Sequence, residues 1–185
     1  VSRDPKKIAA DPEAELLVEF VNTRDIEEGT DAIATPEGLA AWAAQHGDEL
    51  GRPEPDPDGQ RRILALRESL RALLHANNGG EAAAEELAAL REAARRSSYR
   101  AALAPDGRLS VEPAGSGLEA LEARLLLAIE RLQAFGAWER LKACPAEDCE
   151  WAFYDTSRNH SRTWCSMEEC GNRAKTRRYR ETRRR

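Results

Sequence analysis

The sequence predicts a mainly α protein: residues 1–140 form a mostly helical N-terminal domain with one small β-hairpin (α+β), and residues 141–185 form a small module ending in a basic helix. Three observations carry this reading. Apolar residues recur at helical spacing through most of the first 140 positions, the Pro-Asp-Gly turn at 105–107 separates two β-tolerant runs, and all four cysteines fall in the last quarter of the chain.

A chain of 185 residues, 41% apolar and 33% charged, suits one soluble domain with a core plus a small appended unit. Its longest apolar stretches are too short to span a bilayer, and VSRDPKKIAADPEAELL lacks the apolar core and cleavage site of a secretion signal. A cytoplasmic protein with no membrane partner is therefore expected. The formal net charge is −5, yet it is segregated: residues 1–140 carry 17 basic and 26 acidic groups, residues 141–185 carry 11 and 7. The last 15 residues hold eight basic groups against Glu181 alone, an asymmetry that marks a surface for a polyanion.

Along the chain, Leu16, Leu17, Phe20 and Val21 share one stripe of a short buried helix over 14–22. Thr35-Pro36 reads as an N-cap followed by proline at the first helical position, opening a helix through Leu39, Trp42 and Ala43 that Gly47 can close. GRPEPDPDG, 51–59, reads as a polar loop. Ile63, Leu66, Leu70, Leu73 and Leu74 predict a helix from Gln60 to about Ala76, stopped by Asn77-Asn78-Gly79-Gly80, and Ala84, Leu87, Leu90 and Ala94 predict another over 81–96. The run SYRAALAPDGRLSVEP predicts a hairpin about Pro105-Asp106-Gly107. After Gly117, the longest helix has a seam of Leu118, Leu121, Leu125, Ala128, Leu132 and Phe135, a packing face for the core or for a second copy.

Cys144, Cys149, Cys165 and Cys170 form the pattern C-x4-C-x15-C-x4-C. Two close pairs joined by a longer insert can each wrap an ion and together supply four thiolates to Zn²⁺; two disulfides or four buried thiols are the other readings of the same spacing. About 45 residues with few large apolar side chains build little core, so metal binding would contribute much of the folding free energy. A cysteine turn, a strand (WAFYD), a polar turn holding His160, a returning strand (TWC), a second cysteine turn and a helix from about Gly171 follow one another in the order of a treble-clef zinc finger.

The segment from Cys144 to Arg180 resembles the CGNR zinc finger, whose name spells the fourth cysteine with Gly171, Asn172 and Arg173; LVEFVNT, 17–23, resembles the opening motif of the ABATE domain that precedes this finger in bacterial proteins. Glu19 stands where that motif usually has aspartate. The resemblance implies a candidate stress-induced transcription regulator with Zn²⁺ held by the four cysteines and DNA as partner.

Four thiolates outweigh Zn²⁺ by two charges, so the tail does not serve to balance the metal. Its cations point all round a helix, where phosphates favour them by counterion release and bidentate arginine contacts. Arg173, Lys175, Arg177, Arg178 and Arg180 are the candidate phosphate contacts on a DNA duplex, and Asn172 is a candidate for reading adenine or for bracing the finger. Upstream, Asn22, Trp42 and Arg67 are candidates for holding a small-molecule effector; Arg67 lies on an apolar stripe and needs an anion, a helix C-terminus, or a carboxylate such as Glu19 or Glu68. No phosphate-loop, dinucleotide, zinc-protease or serine-hydrolase motif is present, so a non-enzyme is expected. Three function classes follow: a DNA-binding regulator whose N-terminal domain senses an effector or forms a homodimer, a small-molecule-binding protein or enzyme with a structural zinc module, and an RNA-binding protein.

Overall fold

In a computed structural model, the structure describes residues 11–46 and 56–183. Gly47, residues 51–55 of the proline-rich loop, Arg184 and Arg185 lie outside them. Helix α1, Pro12–Val21, starts where Asp11 accepts a hydrogen bond from the Glu13 amide, and it buries Leu16, Leu17, Phe20 and Val21. A two-residue ladder, β1 Arg24–Asp25 with β2 Thr30–Asp31, turns the chain back. Helix α2, Pro36–His46, is capped as expected, with Thr35 Oγ1 accepting from the Gly38 amide at 3.1 Å.

Helix α3, Pro57–Asn77, is the central element. It begins earlier than the composition of GRPEPDPDG suggests, because Asp56 accepts from the Asp58 and Gly59 amides and Pro57 occupies the first turn, where it forfeits no hydrogen bond. Gly59 lets the facing helix approach closely: a Cβ there would lie 2.3 Å from Leu118 Cδ1, so a larger residue requires that side chain to shift.

Helix α4 covers only Ala88–Arg96. The expected turns over 81–87 do not form a helix: the Glu86 side chain accepts from the Ala83 amide and the Glu86 carbonyl accepts from Ser69 Oγ. Local side-chain bonds thus compete with the helical ladder. Further on, Ala93 rather than Ala94 is buried. The hairpin forms where predicted, β3 Tyr99–Leu103 pairing with β4 Leu109–Pro113 in the register Tyr99↔Pro113 and Leu103↔Leu109. Gly107, at φ +84°, supplies the left-handed turn position.

Helix α5, Gly117–Ala134, buries Leu121, Leu125, Ala128 and Leu132 of the predicted seam. Phe135 departs from it: the residue caps the helix and is 83% exposed. A 3₁₀ turn, Trp138–Arg140, then leads into β5, Leu141–Ala143, which pairs antiparallel with β6, Ala152–Tyr154. Strand β5 has no counterpart in the sequence reading, and the returning strand expected at Thr163-Trp164-Cys165 is a bend. A π-helical turn, Met167–Gly171, opens helix α6, Asn172–Thr182. A mainly helical body with small antiparallel strand pairs, a cysteine-clustered module and a terminal helix is thus the fold class the sequence predicts.

The main core joins α1, α3 and α5, and it includes Leu141, Ala143 and Ala152 from β5 and β6. A smaller cluster gathers Cys144, Cys149, Phe153 and Cys170, with Trp151 and Trp164 against it. No helix among the described residues is long and apolar enough to cross a membrane.

Candidate metal centre and basic helix

The sulfur atoms of Cys144, Cys149, Cys165 and Cys170 all lie within 4.8 Å of one another. Cys149 and Cys165 are 3.5 Å apart and Cys165 and Cys170 3.6 Å, too far for a disulfide, and all four thiols are free. Four thiolates bound tetrahedrally at about 2.3 Å from Zn²⁺ stand about 3.8 Å apart. Donor set and spacing therefore fit a Zn²⁺ site held by these four residues.

The thiols themselves call for a cation. Hydrogen bonds from Cys149 and Cys165 lower the Cys144 thiol to about 4, whereas Cys165, sharing its protons with Cys144 and Cys149, is pushed up. Ionising all four sulfurs in so small a volume would require a dication to offset their repulsion.

Local structure aims each ligand. Cys144 extends β5, its amide donating to the Trp151 carbonyl at 2.9 Å, and the next turn closes when the Cys149 and Glu150 amides both bond the Ala146 carbonyl. On the other side Ser166 caps the π-helical turn by accepting from the Glu169 amide at 3.2 Å. The residues after Cys170 follow from packing. A Cβ on Gly171 would lie 2.4 Å from Met167 Sδ, so a larger residue there displaces the Met167 side chain; Asn172 Nδ2 donates to the Glu168 carbonyl at 2.9 Å. Arg173 Nη2 donates to Cys170 Sγ at 3.1 Å, while Nη1 meets Glu27 of the β1–β2 turn at 2.9 Å and Asp148 at 3.7 Å. At least this one cation of the tail does serve the thiolates.

The polar insert is pinned by a buried pair. Lys142 Nζ reaches Asp155 at 2.8 Å and the carbonyls of His160 and Arg162 at 2.7 and 3.0 Å. Burial pushes the Asp155 carboxyl up, but Lys142, Ser157 and the Arg162 amide outweigh it and hold it well below the usual carboxylate range. Arg162 lies over the Phe153 ring at 5.0 Å and donates to the Trp164 and Cys165 carbonyls; His160 is exposed, its amide donating to the Ser157 carbonyl and its carbonyl accepting from Lys142.

The remaining tail candidates are placed differently from Arg173. Lys175, Arg177, Arg178 and Arg180 are exposed on α6, which buries no residue. Arg177 and Arg180 line an open cleft together with Glu27, Glu168 and Glu169. Lys175 and Arg178 lie on the other side of the helix.

The three upstream candidates each have internal partners. Asn22 holds the backbone of β6 on both sides, Nδ2 donating to the Ala152 carbonyl at 2.9 Å and Oδ1 accepting from its amide at 2.8 Å. Arg67, 3% exposed, grips Asp31 with two hydrogen bonds of 2.8 Å and also reaches Glu68 and Thr23. Trp42 packs on Phe20 and His46, ring centres 5.3 and 4.3 Å away, and His46 in turn pairs with Glu19 at 3.5 Å.

Sequence reasoning named Glu68 as a partner for Arg67 but missed Asp31, which nothing in a short polar turn signals. It also missed Arg71, although Arg71 stands four positions after Arg67 on the same stripe; its guanidinium joins Glu68, the Val21 carbonyl and the Glu150 carbonyl. Asn77 and Asn78, read only as a helix stop, additionally donate to the carbonyls of Trp138, Leu141, Ala143 and Thr163.

Two family models match the chain. Residues 140–184 match the CGNR zinc finger, and residues 14–138 match ABATE, described as "Putative stress-induced transcription regulator". No curated protein matches.

Proposed function

Since the chain belongs to the ABATE family and carries its CGNR zinc finger, we propose that it is a transcription regulator that holds duplex DNA through α6, with the zinc centre fixing where that helix starts. The observation that carries this reading is the helix itself. It buries nothing, leaves Lys175, Arg177, Arg178 and Arg180 in solvent, and begins two residues after a metal ligand. A helix of like charges without an apolar face gains little from folding alone; a polyphosphate supplies the missing favourable term by releasing its counterions.

Among the tail candidates, Arg173 supports the finger and the four exposed cations make the phosphate contacts. Asn172, whose amide closes the π-helical turn, braces rather than reads. Lys175 and Arg178, on the face away from Glu27, Glu168 and Glu169, lead the contact, because those carboxylates repel phosphate from the cleft side. Duplex affinity measured against salt tests the reading: four phosphates give a slope of log K on log salt near about −3.6, and a flat response contradicts it.

For the N-terminal unit we favour association over effector capture. Asn22 and Arg67, two of the three candidate ligand contacts, already spend their hydrogen bonds on Ala152, Asp31, Glu68 and Thr23. The same reading makes the chain a regulator and not an enzyme, working in the cytoplasm where DNA is accessible.

A further inference from the structure

In the β3–β4 hairpin, residues directly opposite each other share a face. The register therefore puts Tyr99, Ala101 and Leu103 beside Pro113, Val111 and Leu109, a face with no charge; the reverse face carries Arg100 and Glu112, paired at 2.9 Å. An antiparallel pair ordinarily turns its apolar face to the core. Here the apolar face is open: Leu103 is 70% exposed, Leu109 71%, Val111 45% and Tyr99 42%. β4 runs back along α5, where Arg131 Nη2 donates to the Val111 carbonyl at 2.9 Å. One helical turn beyond Arg131, on the same face of the helix, comes Phe135, 83% exposed.

We infer that this face is the homodimer interface, and that its occupant is the same face of a second copy. Five of its side chains, Tyr99, Leu103, Leu109, Val111 and Phe135, expose on the order of 600 Å² per chain, the upper end of what a monomer leaves bare, so complete pairing removes about 1,200 Å², the lower bound of specific, stable interfaces. The hairpin part of this patch is uncharged and the neighbouring Arg131 is paired with Glu13, whereas the chain as a whole carries −5, so self-association is least opposed here. An uncharged, two-stranded face is also self-complementary about a two-fold axis, which brings Leu103 and Leu109 against their own counterparts. Such a dimer carries two copies of α6 related by a two-fold axis, the symmetry of a duplex backbone. The inference rests on the association role proposed above and not on DNA binding.

The test is sedimentation equilibrium of the zinc-loaded full chain at about 50 μM, without nucleic acid. The wild type sediments with the mass of two chains. Leu103→Asp with Leu109→Asp, both at exposed positions, raises the dissociation constant about 100-fold or more, because pairing would bury unpartnered carboxylates; Phe135→Ser weakens it less. Zinc content and far-UV circular dichroism stay at wild-type values in these variants. A monomeric wild type, or an aspartate variant that dimerises as tightly, overturns the inference. Duplex affinity of the monomeric variant is measured separately, so loss of the dimer and loss of DNA binding are told apart.

Discussion

Arg173 and Cys170 are joined by an N–H···S hydrogen bond of 3.1 Å, so the arginine of the C-G-N-R run faces the sulfur that begins it. Groups that donate to a metal ligand orient it and tune its affinity, and losing one typically costs 10- to 100-fold in binding. Arg173→Ala should weaken zinc retention by about that factor in competition with a chromogenic chelator. Arg173→Lys, which cannot bond Cys170 and Glu27 with one planar group, should recover only part of it. Unchanged zinc affinity in Arg173→Ala would show that the contact does no more than fill space.

Asn22 replaces a neighbouring strand for β6, satisfying both the amide and the carbonyl of Ala152. Asn22→Ala leaves both groups unpaired in a buried setting, a loss of about 1–3 kcal/mol. Urea denaturation should register it, and amide exchange at Ala152 should accelerate while exchange in the middle of α3 changes less. Equal acceleration throughout would mean that the finger and the helical body open together.

Asp155 and Lys142 give a pH signature. The folded carboxyl sits below its unfolded value of about 3.9, so its stabilisation is fully present above that value and declines as pH falls below it. The stability difference between wild type and Asp155→Asn should be level above about pH 5 and shrink below about pH 4. Near neutrality the variant should lose about 3 kcal/mol, since it leaves Lys142 buried without a counter-charge. A difference that grows on acidification would contradict the assignment.

The exposed cations should act as separable phosphate contacts. Lys175→Ala and Arg178→Ala should each lower the salt slope of duplex binding by about 1. Replacing Glu168 and Glu169 by glutamine, with Glu27 left to its Arg173 partner, should raise affinity at low salt, by removing repulsion in the cleft beside Arg177 and Arg180. Affinity unchanged by the glutamine variants would place the duplex well clear of that cleft.

The metal ligands and the long helices were legible because spacing alone encodes them: two cysteine pairs have few other uses, and Leu121, Leu125, Ala128 and Leu132 recur at the helical period. What escaped was set by partners distant in sequence. Residues 81–87 satisfy helical composition, yet Ser69 and the Glu86 side chain take their hydrogen bonds elsewhere. Strand β5 is three residues long and recognisable only from β6 and the asparagines that hold its carbonyls. Phe135 completes an apolar period that ends before it, and Thr163-Trp164-Cys165 alternates like a strand but has none to pair with. Asp31 became visible only once α3 laid Arg67 beside it.

The central claim is that the metal gives the basic helix its grip by fixing where it begins. Its most direct test is duplex affinity at one fixed salt concentration for zinc-loaded protein, for the same protein after chelation, and after one equivalent of Zn²⁺ is restored. The account predicts at least a tenfold loss on chelation and full recovery with zinc. Equal affinity in all three samples would contradict it.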